Sequence, residues 1–599
     1  MRGTKLVLSL VVLSLIVLFR APSHAQTNPA STGIIPDDRA IDWSQGGVVG
    51  GIPNRTTICA TLNPGATHTD INDALAACSN GVVFLSAGTY NLAGGITFSG
   101  NSNVTLRGAG PDQTILKFAG DDPCGGLRAN VCIHGRSMAW WGNLPSSNIQ
   151  DWTAGYAKGA TEITLASTDG LAVDTVLVLD QLDDAADTGG VYVACGSGVS
   201  FDACPPTRPG RSQQQHVRVT AINGTRVTIS PGLYMPNWRV SQQPQAWWWG
   251  DSSVTAEMSG VEDLTLDHTD STGTSGIAFH NAYNCWVKNV QSVNANRNHV
   301  WFYQAARIEV RDSYFYGTKS AASMTYGVES FMTSDALAVN NIFQHVSVPL
   351  LTGPGVGSVY AYNFMTDMSY LSSGFMLATI SGSHDAGTGM NLFEGNQGNQ
   401  FGMDTTHGTG NLATVFRNYL TGTEPDKTSN TVSVYLMAFN RRVNIVGNVL
   451  GTAGYHTIYE DSQASSGTPG SPDTSIYLLG YSATGEQQPL GYDPLVVSSL
   501  LRWGNHDYAT NQTRWDPAEI PADSAVPATQ TLPASLFLSA RPGWWGAMPW
   551  PAIGPDVTGG QDPSGYAYDI PARVCYDTSP KNPDGTLVFN ATSCYGTTP

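Results

Sequence analysis

Between residues 260 and 450 the chain repeats one pattern, a short β-prone run closed by Asn or Asp. The runs are Leu264–Asp267, Trp286–Asn289, Glu309–Asp312, Ala338–Asn341, Tyr360–Asn363, Phe393–Asn396, Val415–Asn418 and Ile445–Asn448. Their last residues are 22, 23, 29, 22, 33, 22 and 30 positions apart. A base period near 22 with inserted loops is the signature of a solenoid. Short strands with a polar turn residue at a fixed place in each repeat predict a parallel β-helix. An antiparallel sandwich would instead show turn signals every ~8–12 residues without the longer register. Coils would then lie ~4.8 Å apart, close enough for the Asn side chains to stack as a ladder. The crossover rule makes the winding right-handed. The longer coils, 313–341, 364–396 and 419–448, must send their extra residues sideways as loops that wall a groove.

On either side the pattern changes. Runs at 160–165, 175–180, 216–220 and 226–230 alternate apolar and polar residues like half-buried strands. They predict a small β insertion at 150–250, leaving through Trp247, Trp248 and Trp249. Beyond 470 the chain is rich in Pro and Trp, as in Pro542–Gly546 and Pro549–Pro551. Such a segment serves to cap the open coil or to pack along it, because an uncapped solenoid end exposes sheet edge. The expected architecture is therefore all-β: a single-stranded right-handed parallel β-helix with a β insertion and a C-terminal capping segment. Residues 26–149 form the N-terminal cap and first coils, 251–470 the main helix and 471–599 the Pro/Trp-rich segment.

Residues 1–25 read as a secretory signal peptide. Arg2 and Lys5 precede an apolar run from Leu6 to Phe19, and Ser23-His24-Ala25 places small residues at a cleavage site. The run is short of the ~20 residues that span a bilayer, so no membrane association is expected after cleavage. Export, to the periplasm or the medium, makes the nine cysteines legible as disulfides. Spacing pairs Cys59 with Cys78, Cys124 with Cys132, Cys195 with Cys204 and Cys575 with Cys594. Cys285 is left as a buried thiol. No Cys-x-x-Cys or His-x-x-x-His spacing supports zinc.

The strings INDALAAC, GVVFLSAGTYNLAGGITFSG and NVTLRGAGPDQTILKF lie between Ile71 and Phe118. This stretch resembles the N-terminal part of secreted pectate-lyase-like β-helix proteins, in particular their rhamnogalacturonase and epimerase-type branch. Over 260–460 the resemblance is at the level of the coil pattern. It implies a polysaccharide-acting enzyme of glycosidase, lyase or epimerase chemistry. These motifs build the scaffold and hold no catalytic residue, so they do not choose among the three.

Composition narrows the partners. Only 13% of the 599 residues are charged, with 29 Lys and Arg against 47 Asp and Glu. Nucleic acid needs clustered cations and is excluded on that ground. The same scarcity disfavours a polyanionic glycan held by side-chain cations alone. The core material is ample, with 41% hydrophobic residues, 15 Trp, 24 Tyr and 18 Phe. A monomer acting on polysaccharide is expected.

Candidate chemistry comes from using the Asn residues as a ruler. Asp385 lies 11 residues before Asn396 and His407 lies 11 before Asn418, on consecutive coils. His384 falls in the adjacent column, Asp404 three residues before His407, Glu329 in the His384 column two coils upstream, and Arg417 beside Asn418. Two carboxylates and an imidazole on neighbouring coils supply an acid, a base and an orienting group for glycosidic hydrolysis. Close carboxylates also push their pKa values apart. Turn formation is the competing role of Asp and His at such corners. β-Elimination from a uronate glycan stays open, with His407 or Arg417 as base. Calcium is a cofactor only in that case, with Asp367, Asp385 and Asp404 as possible oxygen ligands. A non-catalytic glycan-binding adhesin is the third reading. Trp247, Trp248, Trp249, Trp301 and Tyr303 are candidate sugar platforms; core filling is the competing role, and the one slightly favoured for Trp301 inside its strand. The Trp247–Trp249 run is expected at the surface, because three consecutive side chains on a strand cannot all face one way.

Overall fold

The protein is described by a computed structural model covering residues 33–596 apart from 189, 201, 373, 462–473 and 482–490. The expected signal peptide lies outside the described residues. The chain builds two large parallel sheets, of 22 and 16 strands, and one closed six-stranded barrel. Successive turns of the chain contribute to both large sheets. Ser275–His280, for instance, is followed by Trp286–Ala295 in the other sheet and by Asn298–Ala306 back in the first. Trp286 pairs in parallel with Glu309, Val287 with Val310 and Lys288 with Arg311, as a coil-on-coil arrangement requires.

Alternation along each strand sends one set of side chains between the sheets. Ile277, Phe279, Phe302, Val328, Leu350, Ile380, Phe401 and Val434 face inward into one buried cluster that runs from Ile71 to Leu500. The helix His68–Ala77 closes the first coil, burying Ile71 and Leu75 and starting on a reciprocal Thr67–Asp70 cap. At the other end the coils continue past 470, through Leu501–Trp503 and Asn505–Asp507, and finish on the antiparallel strand Gln512–Arg514.

The larger sheet carries the Asn ladder at the expected rungs from Asn341 to Asn448 and departs from the expected register in the earlier coils. Each ladder Oδ1 accepts from the Nδ2 of the Asn one coil before: Asn341 to Asn363, Asn363 to Asn396, Asn396 to Asn418, Asn418 to Asn448 and Asn448 to Asn505, all at 2.9–3.0 Å. Asp312 and Asn289 are not rungs. They occupy the left-handed turn position one residue earlier, with φ near +50°, where Asn340, Gly395 and Gly447 stand in later coils. Short polar side chains and Gly tolerate that conformation best, so the turn alone accounts for their recurrence. The rung in the Asp312 coil is Ser313, whose N–H donates to Asn341 Oδ1.

The barrel comprises Ile149–Ala154, Glu162–Leu165, Val176–Asp180, Gln214–Asn223, Arg226–Ser230 and Gln245–Trp247, antiparallel throughout. From Leu532 on, the Pro/Trp-rich segment lies along the outer face of the ladder sheet. There Leu532, Phe537, Trp545 and Ile553 pack in one cluster with Tyr362, Phe416 and Val446. The four disulfides form as spaced, and Cys285 is a buried free thiol pushed up to about 12 by burial. No helix among the described residues is long and apolar enough to cross a membrane.

Candidate active site

The site lies on the outer face of the 16-stranded sheet. The eight strands of that sheet around the site, in chain order, are β1 (Ala129–His134), β2 (Ser275–His280), β3 (Asn298–Ala306), β4 (Tyr326–Ser334), β5 (Val348–Thr352), β6 (Ile380–Asp385), β7 (Phe401–His407) and β8 (Val434–Leu436). Parallel register stacks their outward residues in rows. One row runs Trp301, Glu329, Leu351, Ser381, Gly402, Tyr435. Beside it His280, Tyr303 and Phe331 lead towards Asp385 and His407, which pair with each other across an irregular stretch of the β6–β7 ladder. Over these rows lies a cavity of about 930 Å³. Its walls include Gly125–Leu127 on a loop tied to β1 by Cys124–Cys132, and Asp202–Cys204 on a barrel loop tied back by Cys195–Cys204.

His384, Asp385, Asp404 and His407 all line this cavity, together with Glu329. His384 Nδ1 donates to Asp404 Oδ2 at 2.9 Å, and Asp404 Oδ1 accepts from the Thr406 backbone N–H at 2.8 Å. Burial disfavours the charged His384 ring, yet the adjoining Asp404 carboxylate outweighs it and raises the imidazole to about 9. Burial likewise opposes ionisation of Asp404, but His384 and the Thr406 bonds win and hold its carboxyl below the usual range. The two form an ion pair at neutral pH.

Asp385 is the contrasting group. It is 4% exposed, and its carboxylate accepts no hydrogen bond from any described residue. Burial pushes it up to about 6; His384 and His407 offset this in part, while Glu329 and Asp404 add to it. His407 Nδ1 sits 2.8 Å from the Ala203 carbonyl, which can only accept. Nδ1 therefore carries a proton, and Nε2 is the ring nitrogen left to accept one. The His384 and His407 rings meet edge to face at 5.0 Å. Glu329 is held by Arg297 Nη2 at 3.0 Å and by Asn298. It aligns with Ser381 rather than His384, because bulges displace the end of β6.

Three expectations are corrected. Arg417 is nowhere near this cavity: it occupies the left-handed turn before Asn418 on the ladder sheet. From there it points outward into a bidentate pair with Asp556 and hydrogen bonds to the carbonyls of Ile553 and Pro533. Trp247, Trp248 and Trp249 are 0%, 1% and 3% exposed, so none is a surface platform. They do point in alternate directions, but both faces of their strand are covered. Trp248 enters the barrel core, while Trp247 and Trp249 pack with Val176, Tyr283 and Ala306 where barrel meets coil. Trp301 and Tyr303 do line the cavity. Asp367 follows a ladder-sheet strand and pairs with His345 at 3.3 Å, so it is not brought to Asp385 and Asp404 as a third calcium ligand. Among the described residues the compact group of possible metal ligands is Asp122, Cys124 and Cys132, whose cysteines are joined to each other.

Sequence reasoning missed Arg297, Tyr326, Phe331, His280 and Tyr435, which also line the cavity. Arg297 stacks at 4.8 Å on Trp301 and 5.2 Å on Tyr326. Gly402 makes room for Tyr435, since a Cβ there would sit 2.0 Å from the Tyr435 ring. Ladder counting reaches such positions only where no insertion separates strand from rung.

No protein-family model matches the chain, and no curated protein matches it. Among solved structures it is similar to the tailspike gp61 of Pseudomonas phage phi297, at 12% identity and a TM-score of 0.37, over 73% of this chain and 76% of that one. It is similar to an alginate lyase from Paenibacillus sp. str. FPU-7, at 11% identity and a TM-score of 0.34, over 65% and 94%. A polygalacturonase from Erwinia carotovora ssp. carotovora aligns at 12% identity and a TM-score of 0.29, over 72% and 94%.

Proposed function

We propose that the protein is a secreted glycoside hydrolase that cuts a neutral polysaccharide in this cleft, the coils being wound as a right-handed β-helix. The observation that carries the reading is the contrast between its two carboxyls. Asp385 is buried, unbonded and raised to about 6, whereas Asp404 on the next strand is kept ionised by His384. Glycosidic hydrolysis needs one carboxyl protonated and one ionised. Asp385 gives its proton to the leaving glycosidic oxygen. The Asp404 carboxylate, on a coil ~4.8 Å away, faces the positive charge that develops at the anomeric carbon. His407 Nε2 takes a proton from the water whose oxygen bonds to the anomeric carbon and completes the cleavage. Aromatic rings at Trp301, Tyr303 and Phe331 offer apolar faces to the C–H faces of sugar rings.

Charge favours a neutral chain. Arg297 and the His384 imidazolium each already have a carboxylate partner. A uronate would therefore find both pairs already neutralised and would meet Asp202 with no free Arg or Lys among the described cavity residues. The free Nε2 of His407 is the feature that favours the second reading, proton abstraction in a lyase reaction. Product analysis separates the two. Hydrolysis yields reducing ends alone, while elimination adds the ultraviolet absorbance of an unsaturated uronate. With a cleaved substrate in hand, Asp385→Asn and Asp404→Asn should each lower kcat by ~10²–10⁴-fold; Asp385→Asn should keep its melting profile, while Asp404→Asn should melt lower because it unpairs His384. Near wild-type turnover in both would remove these groups from the mechanism.

A further inference from the structure

The outer face of a sheet with a solvated groove over it ordinarily shows polar residues. In the two coils upstream of Asp385 it is apolar except at Glu329, which Arg297 and Asn298 hold. Tyr326 and Phe331 on β4, Val348 and Leu351 on β5, and Leu377 on the loop before β6 all line the cavity. Tyr326, Val348, Leu351 and Leu377 form an apolar cluster of their own, separate from the core between the sheets. The patch is continuous with the reacting carboxyl. A Cβ on Gly353 would lie 2.8 Å from Asp385 Oδ2 and 3.0 Å from Phe331 Cδ2, so both border the notch that this glycine leaves.

Apart from the paired Glu329 carboxylate, one polar atom interrupts the patch. Ser381 is the row neighbour of Leu351 and also lines the cavity. Its Oγ is buried and has no hydrogen-bond partner. A buried hydroxyl without a partner is costly, and a bound acceptor would satisfy it. Sugar hydroxyls laid over Leu351 and Val348 would lose their hydrogen bonds to water without replacement. An ester methyl gains there, and its carbonyl oxygen is the acceptor that Ser381 lacks.

We propose that this patch is a subsite for an O-acetylated sugar unit next to the bond that is cut. The acetyl methyl lies against Leu351, Val348 and Leu377, and the acetyl carbonyl accepts from Ser381 Oγ–H. This rests on the reading of the cleft as the site of hydrolysis, and it names the substrate class as an O-acetylated neutral polysaccharide.

The test uses the full chain as Asp385→Asn, so that bound glycans survive, on an array of neutral O-acetylated polysaccharides. Each is paired with the same sample de-O-acetylated by dilute alkali. Wild-type kcat/KM is then measured on the pairs that bind. The acetylated member should be preferred by about tenfold or more, the range for one small apolar group in a fitted pocket. Ser381→Ala and Leu377→Ser, each checked by thermal melting, should narrow that ratio. Equal binding and turnover of the two forms would overturn the subsite and leave hydrolysis standing. Undiminished turnover by Asp385→Asn would overturn the catalytic assignment and leave a measured acetyl preference standing. Binding to no array member would overturn both.

Discussion

Asp385 and Asp404 are the same functional group on neighbouring strands, and their surroundings drive them to opposite protonation states. Asp404 has a His and a backbone N–H; Asp385 has a cavity. The difference predicts a pH profile. With Asp385 as the proposed acid, it loses its proton as pH rises through about 6, so kcat/KM should fall along a limb centred there. The acid limb, where Asp404 takes up a proton, should lie below the usual carboxylate range. A rate that instead rises from pH 6 to 8 would identify the raised group as a base. The groups facing Asp385 that set this limb are His384, His407, Glu329 and Asp404, so Asp404→Asn should also move it. At this scale the sequence was informative for a definite reason. Asp385 and His407 precede their rungs by the same count, and a parallel ladder converts equal counts into neighbours. Trp247–Trp249 and Arg417 were misread because their burial depends on partners remote in sequence, the barrel wall in one case and Asp556 in the other.

The Asn rungs show which elements the repeat specifies. Asn418 Nδ2 donates to Phe393 O, Phe416 O and Asn448 Oδ1, while its Oδ1 accepts from the N–H and Nδ2 of Asn396. Truncation to Ala strands several buried groups in two coils at once. Each unsatisfied group costs ~1–3 kcal/mol, and they are not additive. Asn418→Ala should therefore destabilise by roughly 3 kcal/mol in chemical denaturation. A loss under about 0.5 kcal/mol, the range of ordinary surface changes, would mean that stacked strands hold the coil without the ladder. The repeat was legible because a turn and a rung fall at the same place in every coil, and Asn suits both. That double suitability also caused the error in the first coils, where Asn289 and Asp312 serve the turn and not the rung. The loops that wall the cavity follow no such rule. Ala203, which fixes the His407 tautomer, comes from the barrel insertion 204 residues away, and no periodicity signals that contact.

In the whole molecule the coil is clamped on the face opposite the cleft. The C-terminal segment reaches the ladder sheet through Arg417, paired with Asp556, and through Glu394. Glu394 Oε2 accepts from the Leu536 N–H at 2.8 Å, and Oε1 lies 2.6 Å from the Tyr362 hydroxyl. Burial raises this carboxyl from 4.5 to about 7, only partly offset by bonds from Ser535, Tyr362 and Leu536. The sign follows by linkage. Between those values the folded protein holds a proton that the unfolded chain has released. The stability this group contributes is complete below about pH 4.5 and is lost as pH rises through 7. The amount is on the order of 3 kcal/mol. Other buried groups titrate over the same range, among them His216 and His280, which are lowered to about 3 and about 4 by burial and act in the opposite direction. The raw stability curve of the wild type therefore does not isolate Glu394, but its difference from Glu394→Gln does, because remote groups cancel. Gln reproduces the protonated carboxyl, with Nε2 donating to the Tyr362 oxygen and Oε1 accepting from Leu536, and it does not titrate. Glu394→Gln should match the wild type near pH 4.5 and exceed it progressively up to pH 7 and beyond, by denaturant midpoint. A constant difference at all pH values would show that Glu394 docks the segment in one protonation state throughout.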